Sequence, residues 1–335
     1  MSTPIDRPEH SSDASLGPAR LMAPEGALAP ANYLGGDFSG HDFSGEDLAG
    51  CDFSGADLSC AHFVGANLRG ASLFDVEAEG AEFAGANLAG AILRGGRFTQ
   101  AGFGQANLSE VDAHSADFER ASFANADLTG ANLVGAKAAD SSWREATLVN
   151  ADLRRADLAR ADFTEVSLAG ARFDDSDVPD AKLSRVKGFR EASWLGIDAG
   201  SLDRRGACFL HDFIEDQNFI AEYRSQGVSY EWTYRIWWLT SDCGRSVSRW
   251  AACSAALAVL FAVAYSHVGI DYGRHETWLS PLYFSVVTLT TLGYGDVIPA
   301  TPVAQVVVVL EVVIGYVMLG GLISLISSKL SRRAS

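Results

Sequence analysis

The hydrophobic residues of this chain follow two patterns, a five-residue repeat in the first half and long apolar runs in the second. From Ala31 to Leu183 a large apolar residue, mostly Leu or Phe, recurs at every fifth position, and the residue two places before it is mostly Ala. A period of five fits neither the turn of a helix nor the alternation of a strand. It fits a chain that turns a corner every few residues and points one large and one small side chain inward. The pattern predicts a solenoid.

The repeated unit resembles the pentapeptide-repeat family, whose members form a right-handed, four-sided β-helix with four units in each coil. The resemblance covers residues 31–185. At a strand spacing of about 4.8 Å per coil, it implies a rod roughly 37 Å long. The repeat pattern already accounts for the polar residues of this region, and no Ser, His and Asp combination or metal-ligating spacing stands apart from it. We therefore predict no catalytic residue and no enzyme activity.

Residues 186–249 lack the repeat and contain two amphipathic segments. The first, Cys208–Arg224, predicts a helix that either caps the last coil or docks against a neighbouring subunit. The apolar residues near its one predicted face are Phe209, Phe213, Ile214, Ile220 and Tyr223. The second, Tyr230–Thr240, predicts a helix in the headgroup layer of a membrane, with packing onto the repeat domain as the alternative. Its aromatic residues at helical spacing are Tyr230, Tyr234, Trp237 and Trp238.

Two apolar runs within residues 250–335 are long enough to cross a membrane, which takes about 20 residues. Trp250–Ile270 contains no formally charged residue, and the run from Pro302 to Leu330 contains one acid and, at its end, one lysine. Basic residues flank both runs on the side of the chain termini: Arg235, Arg245, Arg249, Lys329, Arg332 and Arg333. Basic flanks stay in the cytoplasm. We therefore predict a multi-pass protein of the cell (inner) membrane with both termini cytoplasmic.

The segment between the two runs carries the most specific motif of the chain. Ser280-Pro281 predicts an N-cap followed by proline at the first helical position. The short apolar helix that follows leads into Thr291-Leu292-Gly293-Tyr294-Gly295-Asp296. A dehydrated cation can be held by rings of backbone carbonyls, and Gly293 and Gly295 permit the positive φ angles that such a backbone needs. One chain supplies a quarter of such a ring, so four chains must assemble.

This arrangement resembles the two-transmembrane potassium channels. The resemblance implies that Thr291, Leu292, Gly293, Tyr294 and Gly295 form a selectivity filter for K⁺. It also implies that Asp296 lies at the outer mouth and that Gly315 is a gating hinge. The partners implied are three further copies of the chain, in a homotetramer, and the lipid bilayer. K⁺ is then the permeant ion, and no cofactor is expected. Leu292 replaces the commoner Val or Ile, and Val287 stands where some members carry a Glu that contacts the filter Asp.

Glu311 is the one acid between Val297 and Ser328. A charged side chain inside a membrane span is costly, so it should face the bundle interior or water. One interpretation makes Glu311 a proton-sensitive gating element. The other makes it a hydrogen-bonding residue that fixes packing against the pore helix or a neighbouring subunit.

The two halves of the chain differ in charge, and this difference limits the classes of partner that we expect. Residues 31–185 hold 25 Asp or Glu against 12 Lys or Arg, so they carry most of the total charge of −16. Phosphate backbones are bound by clustered Lys and Arg, so no nucleic-acid partner is expected. Five scattered cysteines without CxxC spacing predict neither a zinc site nor a disulfide framework. Residues 1–30 contain no apolar run of a signal peptide and predict a disordered segment.

The sequence as a whole predicts four regions: a disordered segment 1–30, a β-helix 31–185, a helical connector 186–249 and a pore domain 250–335. The α-helical pore domain should contain two spans, a re-entrant pore helix and a potassium-selective filter. The acidic repeat domain is expected to serve assembly or regulation by an unidentified ligand or partner. Two alternatives stay open: a non-selective cation channel, and a membrane-tethered interaction protein whose acidic rod mimics DNA. No arginine-rich span exists, so no voltage sensor is predicted.

Overall fold

The computed structural model describes residues 32–203, 208–242, 246–273, 276–295 and 297–334. The segment 1–30 predicted to be disordered, the flanking Arg245 and the outer-mouth residue Asp296 lie outside the described residues. The chain divides into two compact units, Met1–Ala221 and Glu222–Ser335.

The first unit is a β-helix with four pentapeptide units in each coil. Short parallel bridges join residues twenty positions apart, beginning with Asn32 to Asp52 and Asp37 to Asp57. The backbone N–H of the large central residue donates to a carbonyl one coil further on, as Phe38 N does to Asp57 O at 2.7 Å. The central Leu or Phe residues and the Ala residues two places before them form one buried core. The predicted solenoid is confirmed.

Equal unit length places chemically similar residues above one another inside the coil. One interior column is aromatic, with successive ring centroids 4.2–5.7 Å apart. Its members are Phe43, Phe63, Phe83, Phe103, Phe123, Trp143 and Phe163. The neighbouring column, from Leu48 to Leu168, consists of leucines. Rings therefore stack on rings, and leucines pack on leucines, in register from coil to coil.

The solenoid extends beyond its predicted boundary at residue 185 and reaches Asp203. Arg172 bridges to Ser193 and Lys182 to Asp203, while Trp194 and Leu202 lie in the core. These last bridges are one residue longer than those of the preceding coils. One extra residue abolishes the five-residue period in the sequence although the coil itself continues, so the predicted boundary is too early.

Helix α1, Cys208–Ser225, closes the last coil, as the capping alternative predicts. Leu210 and Ile214 are buried in the solenoid core. The amide of Gln217 accepts a hydrogen bond from Trp194 N at 2.9 Å and donates one to Ala192 O at 3.1 Å. The predicted apolar face is confirmed at Ile214, which is buried, and at Phe213, which packs against the core. It is wrong at Phe209, which is 77% exposed, because Leu210 takes the buried position instead.

Helix α2, Val228–Ser241, begins after Gly227 in the second unit. Glu231 pairs with Arg224 at 2.7 Å and with Arg235 at 3.2 Å, and the hydrogen bond from Arg224 is the main cause that lowers the pKa of Glu231. The apolar side chains most exposed on α2 share one helical stripe, Val228, Trp232, Ile236 and Leu239. This stripe differs from the aromatic set predicted to face a membrane.

The remaining elements are α3 (Val247–Tyr265), β1 (Ile270–Asp271), α4 (Ser280–Leu289), β2 (Ile298–Pro299) and α5 (Pro302–Ala334). Two segments are long and apolar enough to cross a membrane, Val247–Tyr265 and Pro302–Ser324. The first is shorter than its predicted range at its far end. Gly269 adopts a φ of +63°, and Ile270 pairs with Pro299 in the small antiparallel sheet, so the helix cannot continue to Ile270.

Candidate functional site

The segment predicted to form the pore loop lies between the two long helices and begins with α4. We call α4 the pore helix and Thr291–Gly295 the filter segment, after their predicted roles. The predicted N-cap is displaced by one residue: Ser280 is the first residue of the helix, and Leu279 precedes it as the N-cap. Ser280 Oγ accepts a hydrogen bond from the backbone N–H of Thr277 at 2.8 Å, so the serine still stabilises the chain entering the helix. Pro281 occupies the first turn, where its missing N–H has no helical partner to lose.

The end of α4 is tied to the first residues of the filter segment. Thr291 N donates to Thr288 O and Leu292 N donates to Val287 O, each at 3.0 Å. These bonds satisfy carbonyls that a helix end leaves without an intrahelical partner. The filter segment therefore starts from a backbone position fixed by the pore helix.

Positive φ angles recur at every second residue of the filter segment. Thr291 has φ +59°, Gly293 +48° and Gly295 +75°. The two glycines adopt the conformation expected from the sequence. Thr291 was not anticipated, because a β-branched residue rarely occupies this region. Its only sequence signal is its position two residues before Gly293, which continues the alternation.

The filter side chains and the adjoining space are open in the isolated chain. Leu292 is 60% and Tyr294 66% exposed. A cavity of about 270 Å³ adjoins the filter segment and is lined by residues of α4, the filter, β2 and α5. Its lining includes Phe284, Thr288, Thr291, Tyr294, Val312 and Tyr316. No group of His, Cys, Asp or Glu that could hold a metal ion is present among the described residues.

The segment leading from α3 is fastened to the start of α5. Thr301 Oγ1 donates to Val268 O at 2.8 Å, next to the β1–β2 pairing. Tyr272 donates its hydroxyl to Tyr265 O at 3.3 Å, and burial is the main cause that raises the pKa of Tyr272. This phenol therefore stays neutral at physiological pH and keeps its hydrogen bond.

Glu311 and Gly315 both face the pore helix. Glu311 is fully buried and accepts a hydrogen bond from Ser285 Oγ of α4 at 2.5 Å and another from the hydroxyl of Tyr265 of α3. This is the kind of contact that the packing interpretation of Glu311 requires. Gly315 lies inside the continuous helix α5, and a Cβ built on it would come within 2.5 Å of Leu289 O.

Comparison with known families divides the chain in the same way as its structure. A family model described as ion channel matches residues 254–332. Two models of pentapeptide repeats match residues 37–74 and 96–173. The chain joins a pentapeptide-repeat region to an ion-channel region. Neither of these is an enzyme family, in agreement with the sequence.

Curated relatives that match part of this chain are potassium channels. The two pore potassium channel c of Oryza sativa subsp. japonica is 36% identical over 83 residues, 20% of this chain and 18% of the relative. The inward rectifier potassium channel Kirbac3.1 of Paramagnetospirillum magnetotacticum is 39% identical over 75 residues, 22% of this chain and 25% of the relative. This chain thus spans about a quarter or less of the length of these relatives.

Solved structures that are similar to part of this chain include pentapeptide repeat proteins. HetL, a pentapeptide repeat protein from the cyanobacterium Nostoc sp. strain PCC 7120, is 29% identical to this chain. The match covers 49% of this chain and 77% of HetL, with a TM-score of 0.28. We assign the β-helix of the first unit from its own parallel bridges and buried columns of side chains, and not from this superposition.

Proposed function

We propose that this chain is one subunit of a potassium-selective channel in which four copies surround a pore, with K⁺ as the permeant ion. The observation that carries the proposal is the alternation of positive φ at Thr291, Gly293 and Gly295, between the pore helix and α5. Such a backbone can turn successive carbonyls to one side, and stacked rings of carbonyls replace the hydration shell of K⁺. The match of residues 254–332 to an ion-channel family model and the similarity of part of the chain to potassium channels support the same function.

The exposure of the filter segment supports assembly of several chains, and the proposed ring of carbonyls takes four. Irregular backbone at membrane depth is stable only where it is buried in protein or lines water. In one chain the segment carries the exposed side chains of Leu292 and Tyr294. Neighbouring subunits would cover these side chains and leave the carbonyls facing a central aqueous path.

We place the channel in the cell (inner) membrane with both termini in the cytoplasm. The two candidate spans return the chain to the side on which it entered, and the basic flanks favour the cytoplasmic side. Helix α2 would then lie in the headgroup layer through Val228, Trp232, Ile236 and Leu239. Arg235 lies over the Trp232 ring at 5.4 Å and could meet anionic headgroups beside this stripe.

The acidic solenoid serves assembly or stabilisation of the tetramer in this proposal, with regulation as the alternative. Its core lies within one chain and its last coil is capped by α1, so it can fold before the pore assembles. Its role is separable from conduction, because the filter and both spans lie in the second unit.

Ion flux in liposomes tests the proposed function. Purified full-length protein should dissipate a K⁺ gradient, pass far less Na⁺ and be blocked by Ba²⁺. Gly293→Ala denies the backbone its positive φ and should abolish K⁺-selective flux. Equal passage of Na⁺ and K⁺ by the wild-type protein would favour a non-selective cation channel instead.

A further inference from the structure

Glu311 is buried without any basic residue among its described hydrogen-bonding partners. Its side chain is fully covered, and it lies within the apolar helix α5. A carboxyl group in such a place is stable only if polar neighbours satisfy it. The side chains around Glu311 therefore indicate which interactions stabilise this carboxyl group.

Three helices meet at this carboxyl group. Ser285 of α4 donates to Oε1 at 2.5 Å, and Tyr265, the last residue of α3, donates to Oε2. Both partners are buried, and the Tyr265 ring packs against Phe284 with centroids 5.0 Å apart. We call Tyr265, Ser285 and Glu311 the clasp. It joins the pore helix to both membrane-spanning helices.

A second contact lies one helical turn further along both α4 and α5. Gly315 follows Glu311 by four residues, and Leu289 follows Ser285 by four. A Cβ at Gly315 would approach Leu289 O to 2.5 Å and Leu289 C to 3.2 Å. These atoms belong to the backbone and cannot rotate away, so only glycine fits at this point.

Leu289 is the last residue of α4, and the filter segment begins two residues later at Thr291. The clasp and the Gly315 contact thus hold the last two turns of the pore helix against α5. Any displacement of that helix end moves the start of the filter, because Thr291 N and Leu292 N are bonded to its carbonyls.

We propose that Tyr265, Glu311 and Gly315 are positioning residues that determine ion selectivity by setting the location of the pore-helix end. The inference rests on the proposed function. It gives Gly315 a role different from the hinge implied by resemblance: the glycine is needed for its missing Cβ, not for its flexibility. Glu311 acts as a hydrogen-bonding link whose charge is not required.

A second glycine in the same helix provides the matched control for Gly315. A Cβ built on Gly320 meets no atom within 4 Å. Both substitutions to alanine remove one flexible position from α5, but only Gly315→Ala drives a methyl group into the backbone of α4. A hinge role predicts effects on opening without loss of selectivity, whereas a positioning role predicts loss of selectivity at Gly315 alone.

The test measures K⁺/Na⁺ permeability ratios from reversal potentials of the full-length protein in planar bilayers. Gly315→Ala should lower the ratio at least about tenfold, equivalent to ~1.4 kcal/mol, and Gly320→Ala should leave it within about twofold of wild type. An unchanged ratio in Gly315→Ala, or an equal change in both variants, would overturn the proposal. A channel that is weakened only in stability would lose current without changing this ratio.

Variants of the clasp keep the test decisive if Gly315→Ala fails to assemble. Glu311→Gln retains an acceptor for Ser285 and a donor for the Tyr265 oxygen, so its ratio should stay near that of wild type. Glu311→Leu and Tyr265→Phe break the links and should lower the ratio. If the wild-type current is selective and the ratios of Glu311→Leu and Tyr265→Phe are unchanged, this inference is wrong while the proposed function stands. Absence of selective wild-type current defeats the proposed function instead.

Discussion

At the scale of single residues, the fifth position of each repeat sets the turn of the solenoid backbone. Every unit turns through a residue whose backbone is left-handed. In some units this residue is a glycine, such as Gly85 (φ +65°), and in others it carries a side chain, such as Gln105 (φ +60°). Side-chain residues are strained in this region, because Cβ crowds the neighbouring carbonyl. The repeat therefore tolerates a small penalty in many coils.

Gly85→Ala should destabilise the solenoid by about 1 kcal/mol, because alanine is strained at positive φ. A Cβ at Gly85 meets no atom within 4 Å, so strain is separated from steric overlap. Gly104→Ala is the matched control, since Gly104 has no positive φ and its Cβ would lie 3.8 Å from the nearest atom. Denaturant unfolding of the full-length protein followed by circular dichroism measures both. Equal effects of the two substitutions would show that φ is not the cause.

The structure of single residues could be predicted from the sequence where the same residue type occupies equivalent positions in many repeats. The inward Phe and Leu positions follow from the period, and the φ angles of Gly293 and Gly295 follow from what glycine permits. The left-handed φ of Thr291 does not, because nothing in a threonine side chain favours it. The partners of Glu311 were predictable only in part: the sequence places it toward the bundle interior or water and offers the pore helix as one neighbour, but it does not identify Ser285 and Tyr265.

At the scale of elements, the solenoid needs a cap because its last coil ends with unpaired backbone groups. Helix α1 supplies side-chain amides in place of another strand. Gln217 bonds Trp194 N and Ala192 O, and Asn218 bonds Gly196 N and Ile197 O, at 2.9–3.1 Å. Each amide thus offers one donor and one acceptor, as a backbone peptide would.

Gln217→Leu should destabilise the solenoid by about 1–3 kcal/mol, because it leaves the buried Trp194 N–H and Ala192 C=O without partners. Gln226→Leu makes the same change at an exposed position beyond α1 and should have little effect. Denaturant unfolding of the full-length protein compares the two variants. Equal stability of the Gln217 variant and wild type would mean that water replaces the cap.

The elements themselves were largely predictable, and their ends and faces were not. The sequence predicts α1, α2, α4 and both spans, since each is a compact apolar or amphipathic run. It assigns Phe209 to the buried face of α1, whereas Leu210 occupies it, because two faces of this helix carry apolar residues. It also extends the first span to Ile270, since the pairing of Ile270 with Pro299 depends on residues far along the chain.

At the scale of the whole molecule, the two units allow the role of the solenoid to be tested separately from the pore. The cap shows where to cut: removal of residues 1–185 would leave the last coil and α1 without the coils they pair with, whereas removal of residues 1–221 removes the first unit entirely. If the solenoid serves assembly, the shortened chain should give less tetramer but an unchanged K⁺/Na⁺ permeability ratio. Size-exclusion chromatography with light scattering measures the first quantity, and bilayer recordings measure the second.

Altered opening with a normal tetramer yield would contradict the assembly role and favour regulation. Normal yield and normal opening would leave the solenoid without a role in the pore. In either case the second unit retains α2, both spans and the filter, so loss of selectivity is not expected. A shortened chain that lost selectivity would show that the filter depends on the first unit, contrary to the division described here.

The bi-ionic reversal potential shows whether the segment Thr291–Gly295 conducts K⁺ selectively. Full-length protein is placed in a planar bilayer with K⁺ on one side and Na⁺ on the other. We expect a reversal potential far from zero, with the sign given by K⁺ permeation, and loss of that potential in Gly293→Ala. A wild-type reversal potential near zero, with current still flowing, would contradict it.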